Sequence, residues 1–145
     1  WLLYANQQLA QNHQLAIPSY EHILSQQADN LVALNNLAYL YFELGELEKA
    51  EQKAKAALKL QPDNGYVLDT LAQIYLANEN YEQALKLLTK AVVTKESNDD
   101  VYVNYIHALL ATNNKVLAKR KIKQHSLSDA KAMNKLNDLR KKYEI

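Results

Sequence analysis

Hydrophobic residues recur along this chain at the spacing of an α-helix, three or four positions apart. Two such stripes lie close together, and they consist of Leu34, Leu37, Ala38 and Tyr41, then Leu47, Ala50, Ala54, Ala57 and Leu58. This spacing places apolar side chains on one face of each helix, which must pack against a neighbour. Gly45 separates the stripes and suits the left-handed backbone that closes a helix. The pattern predicts two antiparallel helices joined by a short turn.

The same pattern returns every 34 residues without an insertion. A shift by this length places Tyr41 on Tyr75, and it places Ala50 on Ala16, Ala84 and Ala118 in successive units. One helix pair cannot cover its own apolar face, so repeated pairs stack and share a core. We therefore predict a repeat array over residues 1–125, followed by a capping helix over 126–145. The predicted units are a truncated repeat at 1–30, full repeats at 31–64 and 65–98, and a degenerate repeat at 99–125.

Polar residues at the borders between units predict where helices begin. The candidate caps are border residues whose side chains can accept hydrogen bonds from the first N–H groups of a helix: Asp29 and Asn30, then Asp63 and Asn64 after Pro62, then Ser97, Asn98 and Asp99. Ser126 and Asp129 have the spacing of a capping box before the last helix. Pro18 falls inside the expected second helix of the first unit, so we expect that helix to start late or to kink.

The repeat length and its small and large apolar positions resemble the tetratricopeptide repeat (TPR) family. The positions that carry this resemblance in one unit are Leu34, Leu37, Ala38, Tyr41, Gly45, Ala50, Ala57 and Pro62. The resemblance implies an all-α fold, a right-handed superhelix of antiparallel helix pairs with about 3.5 repeats and a C-terminal capping helix. It also implies a scaffold that binds a protein or peptide partner in a concave groove.

Two sequence segments are similar to the repeats of a narrower group of bacterial proteins. Residues 33–46 and 66–76 look like the C-terminal repeats of large bacterial proteins associated with PEP-CTERM/exosortase export and exopolysaccharide systems. This likeness implies a role in bacterial export or exopolysaccharide assembly. The chain begins at Trp1 without a leader sequence, so we expect it to be a piece of a longer protein.

The composition excludes several classes of protein. With 48% hydrophobic and 23% charged residues among 145, the chain is neither disordered nor collagenous. It has no cysteine, and its histidines do not have the spacing of a metal site. Neither of its two glycines lies in a phosphate-binding loop motif. We therefore predict no catalytic residues, no cofactor and no metal, and we expect the protein not to be an enzyme.

The resemblance also indicates which side chains line the groove. In this family the first helix of each unit faces inward at its second, fifth, sixth, ninth and twelfth positions. The corresponding residues here are Asn35, Asn36, Tyr39, Phe42, Tyr66, Asp69, Thr70, Gln73, Asn104 and His107. An Asn amide can both donate to and accept from a peptide backbone, and Tyr offers flat apolar area. We expect the stack not to need these side chains, with packing of Tyr39 and Phe42 between first helices as the alternative.

The charge is unevenly distributed and leaves two other functions open. Residues 1–114 carry 7 basic and 13 acidic residues, a net charge of −6, whereas residues 115–145 carry 10 basic and 3 acidic residues, a net charge of +7. The basic end could bind nucleic acid or another anionic surface, although we expect no specific nucleic-acid partner because stacking groups are scarce there. The complementary charges could also favour self-association.

Overall fold

A computed structural model describes the backbone of residues 1–145 and the side chains of residues 1–8 and 12–145. The described chain is all α-helical, without a strand. Its helices are α1 (Leu2–Gln11), α2 (His13–Gln26), α3 (Leu31–Glu43), α4 (Leu47–Leu60), α5 (Gly65–Ala77), α6 (Tyr81–Ala91), α7 (Asp99–Ala111), α8 (Lys115–Gln124) and α9 (Ala130–Tyr143). The predicted fold class, an all-α solenoid of helix pairs, is confirmed.

Among the predicted border residues, asparagine caps the first helices α3, α5 and α7, at intervals of 34 residues. Asn30 Oδ1 accepts a hydrogen bond from the Ala33 N–H at 2.9 Å, and Asn98 Oδ1 accepts one from the Val101 N–H at 3.0 Å. Asn64 Oδ1 accepts from two N–H groups at the start of α5. These contacts satisfy N–H groups that the helix itself leaves unpaired.

The turn inside each full helix pair has the same periodicity. Gly45, Glu79 and Asn113, again 34 residues apart, adopt a left-handed backbone with φ of 76°, 59° and 63°. Glycine adopts this conformation without strain, and asparagine tolerates it better than glutamate does. The turn predicted at Gly45 is therefore present, and equivalent turns lie at Glu79 and Asn113.

The helices form two compact units, residues 1–62 and 63–145. In the first unit α1 packs on α2, α2 on α3 and α3 on α4; in the second, α5 packs on α6, α6 on α7, and α7 on α8 and α9. Fully buried alanines recur at the same repeat position in both units, at Ala16, Ala50, Ala84 and Ala118. Alanine lets the paired helix axes approach closely, and Leu37 and Leu71 fill the space around them.

Gly65 begins α5 where another segment passes very close. A Cβ atom at this position would lie 2.2 Å from Thr94 Oγ1 and 2.9 Å from Glu96 Cβ. Any larger residue would therefore collide with the connection between α6 and α7. The close approach explains why glycine stands here although its φ is not left-handed.

A late start of α2 and the capping of α9 by Ser126 are both wrong, whereas the alternative of a kink at Pro18 stays a prediction. Helix α2 begins at His13 and contains Pro18, so it does not start late. Ser126 does not cap α9; Asp129 is the cap, and its carboxylate accepts from the Ala132 N–H at 2.7 Å. The backbone at 126–129 is extended toward α7 rather than helical, because Ser128 and Asp129 bind a side chain there, as described below.

Candidate functional site

In the first unit, one stripe of α3 is less buried than the rest of that helix. This stripe, here called the α3 stripe, consists of Val32, Asn35, Asn36, Tyr39 and Phe42. Tyr39 is 36% exposed, whereas Leu37, Ala38 and Leu40 beside it are completely buried. The positions predicted from the resemblance therefore share one face of this helix, with Asn35, Asn36 and Phe42 half-buried.

Asn36 is held by an internal hydrogen bond. Its Nδ2 atom donates to the Tyr20 hydroxyl on α2 at 2.8 Å, and that hydroxyl donates to Asn6 Oδ1 on α1 at 2.5 Å. The bonds join three helices around a completely buried tyrosine ring. The expectation that packing does not need Asn36 is therefore wrong, because it satisfies a buried hydroxyl. Neighbouring Asn35 has its Oδ1 buried, with no hydrogen-bond partner among the described residues.

Ring pairs recur at the position of Tyr39. The His13 and Tyr39 ring centroids lie 6.3 Å apart, with the Phe42 ring 6.4 Å beyond Tyr39. The second unit repeats the first pair 68 residues later, where the Tyr81 and His107 ring centroids lie 6.1 Å apart. The first ring of each pair begins a second helix, and the other lies in the first helix of the next repeat. These contacts hold Tyr39 and His107 in place, and Tyr39 remains partly exposed.

In the second unit, a chain of polar contacts crosses three helices. Gln73 Nε2 and Asn104 Nδ2 donate to the two carboxylate oxygens of Asp69 at 2.7 and 3.0 Å. The Lys135 ammonium of α9 donates to Asn104 Oδ1 at 2.6 Å. Asn104 is only 1% exposed, and both ends of its amide are occupied. The expectation that the stack does not need Asn104 is therefore wrong.

The surroundings shift the pKa values of the two charged groups in this chain of contacts, Asp69 and Lys135. Burial raises the pKa of Asp69, although hydrogen bonds from Asn104 and Gln73 and the charge of Lys135 oppose that rise. Burial lowers the pKa of Lys135, against the attraction of the Asp100 and Asp69 carboxylates. The Asp69 carboxylate and the Lys135 ammonium group thus lie on either side of the Asn104 amide, and both are partly desolvated.

The other predicted groove residues of this unit differ in exposure. Tyr66 is 61% exposed at the start of α5, whereas Thr70 is buried and donates to the Tyr66 carbonyl at 2.9 Å. His107 is half-buried between Tyr81 and the Tyr143 ring of α9, whose centroid is 6.2 Å away. Burial, together with the nearby Lys142 and Lys135 charges, lowers the pKa of His107 to about 4. Its Nε2 atom is buried without a hydrogen-bond partner among the described residues.

Asp99 has a role that the sequence analysis missed. Its carboxylate accepts from the Asp129 N–H at 2.9 Å and the Ser128 N–H at 2.7 Å, and it lies 3.2 Å from His125 Nε2. We call this arrangement the Asp99 clasp; it ties the start of α9 to the start of α7. These bonds lower the pKa of Asp99 to about 2, the Asp129 N–H contributing most. The sequence predicted only helix capping here, and Asn98 performs that role.

The basic residues of α8 and α9 surround a shallow pocket. A cavity of about 290 Å³ is lined by Lys119, Ile122, Lys123, Arg140 and Ile145. Within the described part of the chain, none of the 10 Lys and Arg residues of segment 115–145 forms an ion pair. Lys115 and Lys135 instead donate to the Tyr143 carbonyl and the Asn104 amide. The remaining cations leave this end with an uncompensated positive charge.

Neither a metal site nor a membrane-spanning helix is present among the described residues. No three His, Asp or Glu side chains converge as metal ligands there. None of the described helices has both the length and the apolar character needed to span a bilayer.

Comparison with known proteins relates the chain to repeat proteins. Two family models, both described as tetratricopeptide repeat, match residues 8–74 and 67–102. No curated protein sequence matches the chain significantly. Among solved structures, a tetratricopeptide repeat protein from Parabacteroides merdae is similar with a TM-score of 0.77 and 26% identity, over 94% of this chain and 55% of that one.

Two more distant structures share the fold. MamA aligns with a TM-score of 0.76 and 14% identity, over 97% of this chain and 84% of that one. YrrB, a TPR protein with an unusual peptide-binding site, aligns with a TM-score of 0.68 and 18% identity, over 97% of this chain and 75% of that one.

Proposed function

We propose a function from the premise that the chain belongs to the tetratricopeptide repeat family. It is a non-enzymatic scaffold that binds an extended peptide segment of a partner protein through the α3 stripe. One observation carries the proposal: Tyr39 is 36% exposed in the middle of a helix whose neighbouring apolar residues are completely buried. A side chain of this size left open on a packed helix is typical of a binding surface.

The surroundings of Tyr39 favour a peptide over a small molecule. The His13 and Phe42 rings flank it, so the aromatic surface is held in position before a ligand arrives. The half-buried Asn35 adds a polar side chain to the same stripe, as hydrogen bonding to a peptide backbone requires. YrrB, which shares the fold, has a peptide-binding site, and this similarity supports the same class of ligand.

A selection from a displayed peptide library tests this proposal. We expect selected peptides to lose about tenfold in affinity when Tyr39→Ser is made, since an aromatic anchor contributes about 1–3 kcal/mol. Tyr4→Ser is the matched control, because Tyr4 is 53% exposed on α1 and lies outside the α3 stripe. Equal affinity for both variants in an isothermal titration would reject the α3 stripe as the binding surface.

The basic end supports a second candidate function, binding of an anionic surface. The observation in its favour is the cluster of Lys119, Lys123 and Arg140 around one pocket without acidic partners among the described residues. Binding through phosphates alone gives non-specific dissociation constants of about 10⁻⁴–10⁻⁶ M at physiological salt and weakens steeply as salt rises. Sequence-selective, submicromolar binding to DNA or RNA in that buffer would promote this candidate above the peptide scaffold.

The narrower likeness of residues 33–46 and 66–76 to PEP-CTERM/exosortase repeats adds a context to the scaffold. We propose that the partner belongs to a bacterial export or exopolysaccharide assembly system. The genes beside the full-length reading frame would test this, because exosortase and polysaccharide genes should be neighbours.

A further inference from the structure

Helices α8 and α9 both pack on α7 within the second unit, and a groove lies between them. Next to the cavity of about 290 Å³ described above is another of about 230 Å³, and the walls of both contain Ile122 and Arg140. The second cavity is also lined by apolar residues of α9 and of the segment before it, Leu127, Met133 and Leu136. We call the two adjoining cavities the α8–α9 groove.

The apolar lining of the α8–α9 groove is incompletely covered by the chain itself. Ile122 and Leu136 are half-buried, and Met133 is 46% exposed. In the same unit, Ile106 and Leu109 of α7 are almost completely buried. Apolar surface that stays in contact with water favours a ligand that covers it with an apolar group of its own.

Three cations border the same groove. Lys119 and Lys123 lie one turn apart on α8, and Arg140 of α9 lines both cavities. All three are exposed, and none forms an ion pair with the residues that the structure describes. Like charges around one cavity repel one another, and a carboxylate placed between them would remove that repulsion. The ligand that matches this groove is therefore both apolar and anionic.

The lining favours a protein segment over nucleic acid or a membrane. Proteins that bind single-stranded nucleic acid provide aromatic rings on which bases stack. The ring found among the described lining residues is that of His125, which is already stacked on Tyr102 at 4.0 Å. A lipid surface is flat, whereas the apolar side chains here line a concave groove that a single inserted side chain can reach. Each cavity is also below the range of about 300–1,000 Å³ that is typical of small-molecule sites.

We propose that the α8–α9 groove binds an acidic segment of a partner protein. The segment inserts an aliphatic side chain against Ile122 and Leu136, and its Asp or Glu carboxylates lie beside Arg140 and Lys123. This inference rests on the second candidate function above, binding of an anion by the basic end, and names the class of that anion. It is independent of the α3 stripe, which lies in the other unit.

The experiment selects short peptides from a displayed library on the full chain and measures their affinity by fluorescence anisotropy. We expect one class of selected peptides to contain Asp or Glu residues on both sides of a Leu or Ile. These peptides should bind Arg140→Gln about tenfold more weakly, because an arginine pairs strongly with a carboxylate. Arg120→Gln is the matched control, since it removes the same charge from an exposed position of α8 outside the groove and should leave their affinity unchanged. Tyr39→Ser should also have no effect on them.

A second measurement changes the peptide and leaves the protein intact. Replacing the Leu or Ile of a selected peptide by Ser should weaken binding about tenfold, because the apolar lining is then left uncovered. An equal affinity of the Ser peptide would overturn the proposed insertion of an aliphatic side chain.

Oligothymidylate and vesicles containing phosphatidylserine serve as comparison ligands for the unaltered chain and Arg140→Gln. If either binds more tightly than every selected acidic peptide and depends on Arg140, the acidic segment is the wrong class although the anion-binding function stands. If Arg140→Gln changes the affinity for no peptide, oligothymidylate or vesicle, both this inference and the second candidate function are wrong.

Discussion

Lys135 donates a hydrogen bond to Asn104 at 2.6 Å, and through that amide it faces the carboxylate of Asp69. This relationship joins the last helix to the first helices of the two preceding repeats. It also explains why Asn104 is unavailable for a ligand in this conformation. The charge of Lys135 thereby stabilises the ionised form of the half-buried Asp69.

The Lys135–Asn104–Asp69 arrangement predicts a change in the titration of Asp69. Burial raises the pKa of Asp69 and the charge of Lys135 opposes that rise, so Lys135→Met should raise this pKa further. A carboxyl with a raised pKa in the folded state loses stability as pH rises through that pKa, so the variant should be more destabilised at neutral pH than in acid. An NMR titration of the Asp69 carboxyl carbon measures the shift. Lys141→Met, at an exposed position of α9, should leave it unchanged.

The lowered pKa of His107 predicts that the folded state loses stability as pH falls from 6.5 to about 4. Its pKa is lowered to about 4 by burial, so the unfolded chain takes up a proton in this range before the folded chain does. Proton uptake by the unfolded state weakens folding as pH falls. His107→Phe should remove this sensitivity, worth roughly 1–2 kcal/mol after allowance for solvent screening. Urea unfolding at pH 7 and pH 4.5 checks it, with exposed His22→Phe as the control. A pH dependence that survives in His107→Phe would contradict the assignment.

The Asp99 clasp predicts a separate effect at lower pH. Hydrogen bonds from Asp129 and Ser128 lower the pKa of Asp99 to about 2, below its ordinary value of 3.8. Its stabilising effect is therefore complete above pH 3.8 and is lost as pH falls toward 2. Asp99→Asn should reduce the Tm at pH 6 and flatten its fall between pH 4 and 2. Asp100→Asn provides the comparison, since Asp100 is exposed and lies outside the clasp. If the Tm of Asp99→Asn and of the unaltered chain fell equally between pH 4 and 2, the clasp would not form in solution.

Neighbouring residues of α3 should differ sharply in their effect on stability. Leu37 is completely buried, so Leu37→Ala should lower the free energy of unfolding by about 2–5 kcal/mol through the cavity it leaves. Asn36→Ala should cost about 0.5–1.5 kcal/mol, because it removes the hydrogen bond to Tyr20. Denaturant melts of both variants measure the difference. The double variant Tyr20→Phe with Asn36→Ala should cost less than the two single changes added together, because both remove the same bond.

The repeat could be predicted from sequence because its determinants are local. The Asn30, Asn64 and Asn98 caps and the turn at Gly45 depend on side chains acting within a few residues of themselves. The apolar spacing then predicted which face of each helix is buried. These signals were sufficient for the all-α solenoid.

The contacts around the candidate sites could not be predicted in this way, because they join residues far apart in sequence. Asp99 and Asn104 each bind residues of the last segment, about 30 positions away. The Asn amide at the sixth repeat position looked equivalent in Asn36 and Asn104, yet one contacts a tyrosine hydroxyl and the other a carboxylate and an ammonium group. The repeat pattern identifies a position but not its neighbours, and those neighbours decide whether a side chain is available.

The left-handed turns carry a consequence for how this protein can tolerate change. Of the three equivalent turn residues, only Gly45 is glycine, while Glu79 holds a backbone conformation that costs a side-chain-bearing residue about 1 kcal/mol. Glu79 lies outside the α3 stripe, so Glu79→Gly offers added stability without altering that surface. A more stable chain can absorb disruptive substitutions elsewhere before it unfolds. The stability gained at Glu79 would therefore allow substitutions in the binding surface, by evolution or by design, without loss of the fold.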